Sequence, residues 1–133
     1  MQKTSFGDNK SFVYKVTTNE LKEIVSIMNK PPFDENYTMV MFDELQGRSL
    51  ITLLTKIIKL IDSKTEYCLD TNTEENQALV SDLLSILSYP EATDESFLKS
   101  VFEGEKKPIQ RLLFYLLKNF DEFKQRAYLG QFL

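Results

Sequence analysis

The amino-acid sequence predicts an all-α fold, one helical bundle around a single core. Three observations lead there. Apolar residues recur at the three- and four-residue spacing of a helix along most of the chain, while runs alternating apolar with polar are nearly absent. Helix-start and helix-stop residues punctuate these runs at short intervals, so neighbouring helices should pack directly on one another. The chain has 133 residues, 42% apolar and 27% charged. That suits a single domain, which at this size buries roughly two-thirds of its unfolded surface and needs no disulfide or metal to hold it.

The first helix is predicted from Thr17, where Thr17 and Glu20 have capping-box spacing and Leu21, Ile24, Val25 and Met28 follow on one face. Pro31-Pro32 closes it. Tyr37 to Phe42 (YTMVMF) leans towards β by composition but is too short to found a sheet, so a packed loop or an isolated extended stretch is expected. Ser49 is read as the cap of the most apolar helix, with the stripe Leu50, Leu53, Leu54, Ile57, Ile58 and Ile61; its nearly all-round hydrophobicity places it at the centre of the bundle. Thr73 with Glu74 and Glu75 starts another helix, because a hydroxyl accepts orphan amide hydrogens and the acids complement the positive helix end. Its stripe is Leu79, Val80, Leu83, Leu84 and Leu87, stopped by Tyr89-Pro90. A shorter helix from about Asp94 carries Phe97, Leu98, Val101 and Phe102 to a C-terminal cap at Gly104. Pro108, suited to a first helical position, opens Ile109, Leu112, Leu113, Leu116, Leu117 and Phe120, and Asp121 to Leu133 reads as one more helix. The bundle thus holds about five or six helices. Tyr128, Leu129, Phe132 and Leu133 stop in mid-pattern, which is read as a chain continuing past Leu133.

Composition excludes whole classes of chemistry. There is no histidine, which removes His-based acid/base catalysis, Ser-His and Cys-His nucleophile pairs and the usual zinc sites. Gly7, Gly47, Gly104 and Gly130 are too scattered for a phosphate cradle. The carboxylate pairs Asp34-Glu35, Asp43-Glu44, Glu74-Glu75 and Asp94-Glu95 sit at loops or helix starts, where they read as caps and solvated corners. Cys68 alone cannot form an internal bridge, which fits a reducing compartment, and it reads as a small buried hydrophobe. No run approaches the roughly 18 apolar residues of a membrane span, and Met1-Gln2-Lys3-Thr4 opens no signal pattern. No enzyme, cofactor or metal site is expected.

Charge is divided unevenly. The net −4 comprises +1 over residues 1–61, −9 over 62–105 and +4 over 106–133. Such a chain lacks the broad basic face that nucleic acid or an anionic membrane needs, yet its basic end can engage an acidic partner at short range. Lys106-Lys107, Arg111, Lys118, Lys124 and Arg126 supply that end; by period alone they form a solvated face.

Several segments together resemble the N-terminal calponin-homology domain of the intraflagellar transport protein 81 family. They are Met28-Asn29-Lys30-Pro31-Pro32-Phe33 with Asn36-Tyr37, Phe42-Asp43-Glu44-Leu45, Ile61-Asp62, Leu83-Leu84-Ser85-Ile86-Leu87-Ser88-Tyr89 and Gly104-Glu105-Lys106-Lys107-Pro108-Ile109. Most specific is Phe123-Lys124-Gln125-Arg126-Ala127-Tyr128-Leu129-Gly130-Gln131-Phe132-Leu133. The likeness runs over 17–133 and leaves 1–16 as an extension, in which Phe12-Val13-Tyr14 is either a strand-like arm or flexible.

The resemblance implies a divergent calponin-homology bundle, followed beyond residue 133 by coiled coil, in the ciliary transport machinery. It implies a complex B subunit in the cilium or flagellum that binds the tubulin dimer as cargo through basic residues. It joins intraflagellar transport protein 74 through the coiled coil and works beside other complex B subunits. Residue by residue, the resemblance carries over Lys124 and Arg126, with Lys99 beside Phe97-Leu98 as a further basic position; Lys106, Lys107 and Arg111 of the basic end complete the expected tubulin-binding set. Ser88 and Pro90, followed by Glu91, stand where family members carry Lys or Arg. Two rival readings share the fold: a structural docking module without autonomous tubulin binding, and a kinetochore-type microtubule binder, against which Arg126-Ala127-Tyr128-Leu129 argues.

Overall fold

In the computed structural model, four of the helices start where a side chain caps the first turn. The structure describes residues 15–63 and 66–130. Helix α1 spans Thr18–Met28, and its capping box is complete: the Thr17 hydroxyl accepts from Glu20 N at 3.0 Å while the Glu20 carboxylate accepts from Thr17 N at 2.8 Å. The expected arm at 1–16 lies outside the described residues up to position 14; Val16, at the approach to α1, is buried.

The stretch expected to be loop or extended is a short helix, α2 (Met39–Asp43). Its residues lean β, but the Thr38 hydroxyl caps Met41 N at 3.1 Å, and Phe42 is driven fully inside by packing that outweighs propensity. The link from α1 is fastened by Asn29, whose side-chain amide donates to Tyr37 O and accepts from Tyr37 N, each at 2.9 Å.

Helix α3 (Arg48–Ile61) starts one residue before the expected Ser49 cap, with Gly47 in the capping position. Gly47 has φ +59° and ψ −131°, a backbone shape that only glycine adopts readily. Helix α4 (Glu74–Ile86) is capped by the Thr73 hydroxyl on Asn76 N at 3.1 Å, and α5 (Glu95–Phe102) by the Asp94 carboxylate on Phe97 N at 3.1 Å. Both end in the same double hydrogen bond. Beyond α5, Gly104 N donates to Val101 O and Glu105 N to Ser100 O, with Gly104 at φ +78°. Beyond α4, Ser88 N donates to Ser85 O and Tyr89 N to Leu84 O, with Ser88 at φ +63°. The second turn therefore places a serine where glycine is usual.

Helix α6 (Lys106–Lys118) carries Pro108 at its third position rather than its first; an amide there would have no partner within the helix, so the proline forfeits no hydrogen bond. Asn119 alone separates it from α7 (Phe120–Gly130). The expected centre of the bundle also shifts. Helix α3 is apolar along its stripe, with Leu50, Leu54, Ile57 and Ile58 fully buried, but α6 is the helix packed against α1, α3, α5 and α7. Its apolar face, Ile109, Leu112, Leu113 and Leu116, is wholly buried. The side of α6 left over is where charge gathers.

Candidate functional site

Along α6, Lys107, Arg111, Phe114 and Lys118 are spaced i, i+4, i+7 and i+11 and so share one side of the helix. Eleven residues at 1.5 Å each make this stripe about 16 Å long. Lys107 and Lys118 are exposed, and Arg111 is half-buried. The Lys118 ammonium lies 5.1 Å from the centre of the Phe114 ring, and the Arg111 guanidinium pairs at 3.8 Å with Glu20, the same carboxylate that caps α1. Between stripe and turn 88–91 opens a cleft of about 240 Å³, lined by Tyr89, Glu91, Arg111, Phe114, Tyr115 and Lys118 among others.

An aromatic ladder backs the cleft. Tyr89 and Tyr115 meet edge to face at 4.8 Å, and Tyr115 continues onto Phe123 at 5.1 Å. The Tyr115 hydroxyl donates to Leu87 O at 2.8 Å, tying α6 to the end of α4. At the ladder's far end the Arg126 guanidinium covers Phe123 at 5.6 Å, pairs with Glu122 at 2.6 Å and reaches the Ser88 hydroxyl at 3.5 Å. Burial raises the Tyr89 and Tyr115 phenols above their ordinary value. Glu91 adds to the effect at Tyr89 and Arg111 opposes it; at Tyr115, Arg126 opposes it and Glu122 adds. These rings therefore stay neutral and serve as a wall, with the cations at its margins.

The structure thus brings Arg111 and Arg126 to two edges of one ladder and adds Lys118, which was outside the expected set. The i+11 spacing from Lys107 to Lys118 was the signal in the sequence. The remaining expected residues lie elsewhere. Lys106 turns towards α2 and pairs with Asp43 at 3.4 Å. Lys124 precedes Arg126 by two residues and so lies some 200° from it around α7, covers Phe120 at 5.7 Å and lines a separate cleft with Lys59, Asp62 and Tyr128. Lys99 is exposed in the last turn of α5, with no ion pair among the described residues. Cys68, expected inside, is exposed. Among the described residues no cluster of metal-ligating side chains forms, and no helix is long and apolar enough to cross a membrane.

These features define a class: a seven-helix domain, counted over the described residues, that carries a charged and aromatic-walled face on its central helix. Comparison with known proteins gives the family. The model of the intraflagellar transport 81 calponin homology domain matches residues 19–133, and the chain belongs to that family. It is 36% identical over 121 residues to an intraflagellar transport protein 81 homolog of Rattus norvegicus and 35% identical to one of Homo sapiens, covering 87% of this chain in each case. The chain spans 18% of the length of these relatives. Among solved structures it is similar to a chain of the GTP-bound T. brucei IFT22/74/81 crystal structure, with a TM-score of 0.70 and 28% identity over 86% of this chain and 26% of that one. The calponin-homology fold expected from the sequence is the fold found.

Proposed function

We propose that this domain is a cargo-binding module of the ciliary transport machinery, acting in complex B at the cilium or flagellum, and that it takes up the unpolymerised tubulin dimer through its basic face. The observation that carries this is the convergence of Arg111 and Lys118 on α6 with Arg126 on α7 around the Tyr89–Tyr115–Phe123 ladder, with Lys107 further along the same side of α6. Family membership supports the transport role, and the T. brucei IFT22/74/81 complex supports intraflagellar transport protein 74 and further subunits as partners of the longer protein. The recognition is electrostatic: tubulin's surface is acidic, and each exposed Lys or Arg adds a modest, salt-screened gain. Binding of that kind suits cargo that must be released. Lys106, Lys124 and Lys99 lie off the central face and act at its margins.

A second reading is a docking module for another train subunit without autonomous tubulin binding. One specific observation favours it: Lys106, Arg111 and Arg126 each already hold a carboxylate of their own chain. Titration with unpolymerised tubulin at low and at raised salt separates the two. Under the cargo reading, binding weakens as salt rises. Arg111→Glu with Lys118→Glu, or Arg126→Glu alone, weakens it by about tenfold, more than Lys106→Glu or Lys124→Glu does. Absence of binding at low salt leaves the docking reading.

A further inference from the structure

Ser88 occupies a position whose backbone favours a different residue. It is the first residue past the cap of α4, with φ +63°, a left-handed backbone where a side chain is strained and glycine is not. Its side chain does not cap α4: Ser88 is exposed, and its hydroxyl lies 3.5 Å from the Arg126 guanidinium. Downstream come Glu91 at the third position and Asp94 and Glu95 at the sixth and seventh, in a turn whose Pro90 is also exposed. A hydroxyl followed by acids in this arrangement presents the charge pattern that a kinase with a basic substrate groove selects.

We propose that Ser88 is a phosphorylation site for an acid-directed serine/threonine kinase, and that Arg126 clamps the phosphate and so leaves the docking face. In the transfer, the bond from Ser88 Oγ to the γ-phosphorus of ATP forms as the bond to the bridging oxygen breaks. ADP departs, and the hydroxyl proton passes to the kinase's catalytic carboxylate. The product carries a charge of about −1.5 to −2 and three strong acceptors within reach of Arg126. Glu122, the present partner of that guanidinium, is a poor competitor, since the pair is one helical turn apart and both side chains are about half exposed, 41% and 55%. A phosphate offers the fork of Arg126 two parallel, charge-assisted bonds. Glu91, Glu122 and the carbonyl end of α4 repel it, whereas Arg126, with Arg111 across the ladder, attracts it. The clamp therefore depends on Arg126, and modification both cancels positive charge and occupies the arginine that faces the partner. The regulatory part rests on the tubulin-docking reading; the site and the clamp do not.

The test uses the 133-residue chain, ATP and an acid-directed kinase. Mass spectrometry is expected to find one phosphate on Ser88, missing from Ser88→Ala; incorporation only elsewhere, or none, overturns the site. Phosphorus NMR of the modified chain is expected to put the second phosphate pKa lower than in modified Arg126→Gln by about half a unit or more. Equal values overturn the clamp. Finally, phosphorylated and unmodified chains are titrated with tubulin: a loss of about tenfold or more supports the switch, and equal binding overturns it. If the unmodified chain fails to bind tubulin, the cargo reading falls, while the mass and NMR measurements still decide the site and the clamp.

Discussion

At Gly104 two requirements meet in one residue. Its φ of +78° completes the turn beyond α5, and a Cβ placed there would stand 2.7 Å from Gly47 Cα and 2.9 Å from Gly47 C. The obstacle is backbone, which cannot swing aside as a side chain can. The contact is also a joint, because Gly47 N donates to Gly104 O at 3.1 Å and so fixes the start of α3 against the start of α6. Gly104→Ala is therefore expected to cost about 3 kcal/mol, the sum of a left-handed alanine and an overpacked contact. Denaturant unfolding measures this, and a loss under about 1 kcal/mol would mean that the two backbones separate at little cost. By contrast, the carboxylate pairs that the sequence places at helix starts divide into cappers such as Asp94 and partners of surface cations such as Asp43. Such residues tune the surface and leave the fold to the glycines and the core.

Helix α6 shows why an element's role was only partly legible in the sequence. Its apolar stripe, its boundaries within two residues and its proline were all readable, because they depend on spacing and capping within the helix. Its position as hub was not, because the charged Lys107, Arg111 and Lys118 lower its overall hydrophobicity and make α3 look the more central. The same holds for the site. That Lys124 and Arg126 diverge follows from two steps of 100° along α7 and could have been read directly. That Arg126 meets Tyr115 and Ser88 depends on how α7 folds back on α4 and α6, which no local pattern encodes. YTMVMF was misread because a threonine cap and one buried phenylalanine decided its conformation against the propensities of its residues. Within α6, Gln110 is 3% exposed, and its Nε2 lacks a hydrogen-bond partner among the described residues. An unmet buried amide is costly, so Gln110→Met, which keeps volume and removes the polar atom, is expected to leave stability unchanged or raise it by up to about 1 kcal/mol. A urea midpoint falling by more than that equivalent would show that the amide does hold a partner in the fold.

Across the whole molecule, the absence of histidine removes the side chain that ordinarily couples stability to pH near neutrality. Burial, chiefly, raises Tyr37, Tyr89 and Tyr115, with Glu35, Glu91 and Glu122 respectively pushing the same way. A phenol whose folded pKa exceeds its unfolded value near 10 keeps its proton in the fold at a pH where the unfolded chain has lost it. The unfolded state then binds fewer protons, and stability falls as pH rises. Below the unfolded value both states are protonated, so these groups contribute no slope. The expected curve of unfolding free energy is thus insensitive to these three groups below about pH 9 and declines above about pH 10, by up to about 1.4 kcal/mol per pH unit for the buried Tyr89 and by less for the solvent-screened Tyr37 and Tyr115. Tyr89 should account for the largest share, since its shift is the largest and it sits against both Phe97 and Tyr115. Guanidinium unfolding across this range, repeated with Tyr89→Phe, tests the assignment. The variant should lose part of the alkaline slope while keeping the ring contacts, and an unchanged slope would move the effect to the other phenols. Because Tyr89 and Tyr115 wall the cleft beside α6, alkaline loss of the ladder should also loosen the hold of Tyr115 on Leu87 O, which joins α6 to the turn carrying Ser88.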